Sequence, residues 1–232
     1  MDNVEKTKRY FDRNVERLGR MKETQQSGIA KAAALSLEGK LKGEILDIGS
    51  GEHIDYSLES IDRLVCLDIS SGSLERAEKN NKIEFIPGDA RNLNMKDNLF
   101  DCVVILHTLH HLAGNSLTAT HKNIEACFNE SHRVLKKTGK ILIIDAVCPR
   151  IVQGIENLLF KLSFLVLGLC DKPMVYYFSL SDLMNILSKV GFKKMTFSYL
   201  NTGNAKHCPF TSSIGIPFKY TPLSHFLIEG VK

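Results

Sequence analysis

Ile45-Leu46-Asp47-Ile48-Gly49-Ser50-Gly51 is the stretch that decides the fold. An apolar run with strand character enters a turn that carries two glycines. The next apolar run, Leu64-Val65-Cys66-Leu67, closes on Asp68. A buried strand, a glycine turn and an acidic residue at the end of the following strand form a frame for an adenosine-bearing ligand. Glycine lets the backbone come close to the ligand, and the acidic residue can take up ribose hydroxyls.

The turn separates two ligand classes. A dinucleotide fingerprint needs G-x-G-x-x-G, with a helix N-terminus aimed at the pyrophosphate. Here the turn reads Gly49-Ser50-Gly51-Glu52-His53-Ile54, so the third glycine is missing and Glu52 sits where a pyrophosphate would lie. Asp47 would repel phosphate too, but it suits a cation. S-adenosylmethionine has a ribose, an ammonium and a sulfonium, and no phosphate.

Working outward, strand and helix patterns alternate. Strands are expected at 44–48, 64–68, 83–86, 101–106 and 141–146, and helices near 26–38, 72–79 and 120–136. Alternation of this kind argues for βαβ units and a parallel sheet. The first, fourth and fifth strands are nearly all apolar, as expected when helices cover both faces. The helix at 120–136 is expected to end at Thr138-Gly139, with glycine as its C-terminal cap. Ser179-Leu180-Ser181-Asp182 has the capping-box pattern and opens a helix that Gly191 ends. Lys193 to Leu200 and Ser224 to Val231 read as two last strands.

Taken together, these segments resemble the class I S-adenosylmethionine-dependent methyltransferases, and within them the small-molecule branch that includes quinone methyltransferases. Asp47, Gly49 and Gly51 match the family's first motif, Asp68 its ribose-binding acid, and Gly88-Asp89-Ala90 its segment after the third strand. Phe100-Asp101-Cys102-Val103-Val104 matches the fourth strand, and Leu109-His110-His111-Leu112 the tail often seen after it. Leu135-Lys136-Lys137-Thr138-Gly139-Lys140 resembles the family's "LxPGG" turn into the fifth strand.

The resemblance covers about residues 40–147 well. It implies an α/β, Rossmann-like, doubly wound sheet of seven strands, mostly parallel, with a closing antiparallel hairpin. It also implies a single domain over 1–232, in which 40–147 is the cofactor-binding core. The cofactor set it implies is Asp47, Gly49, Ser50, Gly51, Asp68, Ile69, Asp89, Ala90 and Leu106, around S-adenosyl-L-methionine. In two places the chain departs from the family. His53 replaces the third glycine, and the gap from Asp47 to Asp68 is short, so a short or irregular first helix is expected.

A chain of 232 residues, 44% hydrophobic and 24% charged, is long enough for one substantial core. The formal charge of +4 does not argue for a nucleic-acid partner, because the cations are scattered. The six cysteines form no C-x-x-C pair, and the opening residues are polar and charged. The expected setting is reducing and cytoplasmic. No cluster has metal-ligand spacing.

Residues 1–25 read as a charged amphipathic helix. Its Tyr10-Phe11-Asp12-Arg13 resembles the family's opening "YFD" segment, which forms a lid over the cofactor. Residues 151–178 are the most apolar stretch, with an uninterrupted run from Leu162 to Cys170 that is too short to span a membrane. Three readings are open: a buried helix, the wall of an apolar substrate pocket, or a membrane-surface contact. The pocket reading expects Leu162 and Phe164 to face substrate. The stretches 151–178 and 201–223 are both expected on the substrate side.

Ligands should bind at the carboxyl ends of the parallel strands. That placement puts His107, His110 and His111 at the border of the reaction centre. A histidine titrating near neutrality is a natural base, and His107, His111 and Tyr10 are the candidate catalytic residues. The expected function is methyl transfer to a small, apolar metabolite. The alternatives are a tRNA-modifying methyltransferase, thiol-assisted arsenic methylation through Cys148, Cys170 and Cys208, and a cofactor-binding protein without transferase activity.

Overall fold

The computed structural model describes residues 2–25, 27–52, 54–76, 80–202, 206–207, 216–217 and 221–232. His53, Cys208 and most of 201–223 fall outside these. The elements run α1 (Asn3–Gln25), α2 (Ser27–Leu37), β1 (Gly43–Ile48), β2 (Ile61–Asp68), α3 (Ser71–Arg76), β3 (Ile83–Pro87), β4 (Phe100–Leu106), α4 (Leu117–Val134), β5 (Leu135–Val147), α5 (Arg150–Leu169), α6 (Leu180–Val190), β6 (Lys193–Tyr199) and β7 (Ser224–Val231). A 3-10 turn, Leu109–Leu112, precedes α4.

Seven strands form one sheet in the order β3-β2-β1-β4-β5-β7-β6. The first five are parallel, while β7 runs antiparallel to β5 and to β6, which closes the hairpin. The order reverses between β1 and β4, the switch point at which open α/β sheets bind ligands.

Strand alternation sorts the core onto two faces. Leu46, Ile48, Val103, Ile105, Ile141 and Ile143 face α4 and α6. Ile45, Leu64, Cys66, Val104, Leu142 and Ile144 face α2 through Ala33 and Leu37. No helix lies between β1 and β2 among the described residues; the connection is a loop of turns. The short gap that suggested an irregular first helix thus removes it, and α2, ahead of β1, covers that face.

Two expectations change. Helix α4 ends at Val134, and Leu135 is already extended, with φ −69° and ψ 140°. Gly139 is therefore not its cap. It lies in a bulge of β5, where Phe100 pairs with Leu135 but Cys102 pairs with Lys140. A Cβ there would come 2.9 Å from Leu135 Cδ2 and 3.1 Å from the Phe100 carbonyl, which is why glycine fits.

The second change concerns 151–178. The buried part is the extended segment carrying Met174, Tyr176 and Phe178. Helix α5 buries only Gln153 and Phe160. Gln153 and Asn157 bond the Tyr176 hydroxyl at 3.1 and 2.6 Å, so α5 is held by its polar side. Leu162 faces solvent and Phe164 stacks on Phe160, so the two do not line one pocket together.

The N-terminal helix α1 packs against α2, α3 and the 109–112 turn. Asn3 anchors its start: its side-chain amide donates to the Ala113 and Met174 carbonyls at 2.6 and 3.1 Å, and its oxygen accepts from Met174 N–H at 2.8 Å.

Candidate active site

The turn after β1 needs its glycines. Gly49 has φ +76° and Gly51 φ +65°, a region costly for residues with a Cβ. A Cβ on Gly49 would overlap Thr108 Oγ1 and Cγ2 and lie 2.8 Å from Thr108 Cβ. Gly49 N–H donates to the Leu67 carbonyl at 2.6 Å, which folds the turn onto β2.

Asp68, at the end of β2, braces two turns at once. One carboxylate oxygen accepts from Gly51 N–H at 3.0 Å and the other from Ser70 N–H at 2.8 Å. These two backbone donors fix the carboxylate at the carboxyl edge of the sheet, between the turns that follow β1 and β2. The Ser70 hydroxyl donates to Asp12 of α1 at 2.6 Å, so the N-terminal helix is tied to the same corner.

Asp47 is buried at the end of β1 and accepts from the Tyr56 hydroxyl at 2.6 Å. Burial and the Asp47 charge push the Tyr56 pKa well up, so this hydroxyl stays a donor. After β3, burial alone would raise Asp89, but hydrogen bonds and charge from Arg91 outweigh it and hold it below the usual range. The guanidinium meets Asp89 at 2.6 Å and Asn123 at 3.2 Å. Ser50 and Ala90 are buried beside these groups, and Gly49, Gly51, Ile69 and Leu106 are half-buried.

The histidines gather at the ends of β4 and β5. His107 has φ +52°, a strained conformation for a residue with a side chain, and its N–H still bonds the Ile144 carbonyl at 2.7 Å. Its ring meets His225 of β7 edge-on at 5.2 Å. The sequence reading missed the partner that organises the group, Asp145. Asp145 is buried, lies 2.7 Å from His110 Nδ1, and accepts from Leu109 N–H at 2.8 Å and from Ala146 N–H at 2.7 Å. Burial opposes its charge, but His110, His107 and these donors hold the carboxyl well below the usual range.

His110 is therefore the histidine with an orienting acid, although it was not among the candidate catalytic residues. Tyr177 stacks on it at 5.1 Å. His111 is a weaker base than expected, because burial and its neighbour His110 push its pKa well down. Its Nδ1 is buried with no hydrogen-bond partner among the described residues, and Phe11 of α1 sits against its ring at 4.9 Å. Tyr10 borders this group through Phe11, at 5.9 Å. The signal for Asp145 was present in the sequence: it is the only charge in the apolar strand Ile141–Val147.

Residues 46–143 match the family described as a methyltransferase domain. An uncharacterised protein of Methanocaldococcus jannaschii is 32% identical over 107 residues, which is 46% of this chain and 42% of that protein, so the chain spans less than half of this relative. The fold is similar to a Thermotoga maritima protein described as a possible histamine N-methyltransferase (TM-score 0.61, 20% identity, 96% and 98% of the two chains). It is also similar to a Haloferax volcanii putative methyltransferase solved with its Trm112 activator (TM-score 0.67, 17% identity, 97% and 96%). The match at 46–143 spans less than half of the chain, and it falls on a fold similar to that of these two solved proteins.

Proposed function

We propose that the protein transfers a methyl group from S-adenosylmethionine to a small, apolar acceptor. The observation that carries the reading is Asp68, with both oxygens at the meeting point of the two turns that follow β1 and β2. The donor set fits the cofactor: carboxylates at the ends of β1 and β2 suit a cation carrying ribose hydroxyls and would repel a pyrophosphate. When bound, S-adenosylmethionine supplies an electrophilic methyl group on sulfur.

In this reading Asp47, Gly49, Ser50 and Gly51 hold the methionine end, Asp68 and Ile69 the ribose, and Asp89, Ala90 and Leu106 the adenine. Asp145 accepts from His110 Nδ1–H, which leaves Nε2 to take the acceptor's proton. A positioned base of this kind is worth about 10²–10⁴ in rate. Phe11 and Tyr177 flank the histidines with apolar surface, which supports an acceptor of the same character. Helix α1 acts as the lid that excludes water. A reducing, cytoplasmic setting is supported by the unpaired, buried Cys66, Cys102, Cys127 and Cys148.

Calorimetric titration with S-adenosylhomocysteine tests the proposal. Micromolar binding to the wild type should collapse in Asp68→Ala, and it should survive in His110→Asn, which loses turnover instead. A wild type that does not bind would refute the reading.

A further inference from the structure

Helix α5 is turned inside out. Its polar Gln153 and Glu156 point inward, towards Tyr176 and Tyr177. Its outward side carries Ile151, Ile155, Leu158, Leu162, Leu165 and Leu169, spaced alternately four and three residues apart down the helix. Their exposure runs from 53% for Ile155 to 83% for Leu158. Leu159 and Val166 widen the stripe, which presents on the order of 1,000 Å² of aliphatic surface, where the largest patch of a monomer is usually a few hundred. By length and hydropathy α5 passes as a membrane span, and only 11% of its apolar window is buried, so it is not a core helix. Its first half is tied to the domain, by Cys148 N–H on the Phe178 carbonyl at 3.1 Å and by the bonds of Gln153 and Asn157 to Tyr176.

The rim of the stripe is cationic. Arg150 stands at its start, Lys161 along its side, and Lys172 with Lys6 of α1 at its end, where Lys6 Nζ reaches the Gly168 carbonyl at 3.3 Å. The acid at that end, Asp171, is paired with Arg13 at 3.1 Å.

We infer that α5 docks this protein in plane on an anionic lipid bilayer, with its leucine stripe in the acyl boundary and its cations at the headgroups. A wide aliphatic face with basic edges is what such a surface takes up. Self-association fits less well. Two copies would bring one cationic rim against another, and the positions beside the seam, Gly154, Lys161, Gly168, Leu159 and Val166, offer no acidic partner to set a helix partner's orientation. The inner side of α5 packs on the segment whose Tyr177 stacks on His110. Resting on the methyl-transfer reading, a docked enzyme would take its apolar acceptor from the bilayer.

Co-sedimentation with vesicles tests the docking, without turnover. The wild type should bind phosphatidylcholine–phosphatidylglycerol vesicles, and less at high salt or on phosphatidylcholine alone. Leu158→Glu/Leu165→Glu should bind more than about tenfold more weakly. Its S-adenosylhomocysteine affinity and melting temperature should stay unchanged, which separates lost docking from a failed cofactor site or fold. No sedimentation of the wild type, or equal sedimentation of the variant, would overturn the inference. A dimer by light scattering that the same variant dissolves, with no vesicle binding, would overturn it too and give the stripe to a second copy.

Discussion

Gly49→Ala isolates the turn on which the cofactor reading rests. Two costs add. At φ +76° an alanine sits in left-handed space, worth about 1–2 kcal/mol. Its Cβ also meets Thr108, whose hydroxyl is held by the Leu106 carbonyl at 2.9 Å and cannot swing away freely. Overpacking of this kind costs about 1–3 kcal/mol. The variant should therefore be about 2–5 kcal/mol less stable in urea unfolding followed by circular dichroism. The two parts separate in a double-mutant cycle. Thr108→Gly removes all three overlapping atoms, Cβ included, and leaves the backbone cost at position 49, so Gly49→Ala should cost only about 1–2 kcal/mol in that background. A single variant within about 0.5 kcal/mol of wild type, or no rescue by Thr108→Gly, would refute the reasoning.

Two further outcomes are expected. Burial raises Glu156 from 4.5 to about 7 against the opposing Tyr177 N–H, so the folded state keeps a proton that the unfolded chain has released. Stability should then fall as pH rises from about 4.5 to 7, and Glu156→Gln should remove that slope. The gain above neutrality should be roughly 1–2 kcal/mol, less than the full linkage value because solvent reaches part of the group; identical pH–stability curves for the two proteins would exclude it. Asn3→Ala removes three side-chain hydrogen bonds from a buried position and should cost about 2–4 kcal/mol, with faster hydrogen exchange in α1 than in β4. Uniform exchange changes would show that α1 is not anchored there.

Local chemistry made much of the fold legible. Apolar runs in β1, β4 and β5 identify buried parallel strands, and Asp47, Gly49, Gly51 and Asp68 lie where the chain turns at the carboxyl edge. What escaped depends on residues distant in sequence. Asp145 finds His110 across two parallel strands, 35 residues away, and no periodicity signals it. The inward side of α5 was left open for the same reason. Its polar residues are satisfied by Tyr176 and Tyr177, so hydrophobicity alone assigns the wrong face. Gly139 reads like a helix cap until the bulge opposite Phe100 is seen.

The loop of turns that joins β1 to β2 among the described residues has a consequence for where this protein can be cut. The segment recognisable as a methyltransferase domain, 46–143, is smaller than the unit that can fold. Excised at those limits it would bare Ile45's neighbours Leu64, Cys66 and Val104 where Ala33 and Leu37 now lie, and strip β5 of its pairing with β7. The heart of the fold is legible on its own, but it borrows its roof from Ala33 and Leu37 before it and its outer wall from β7.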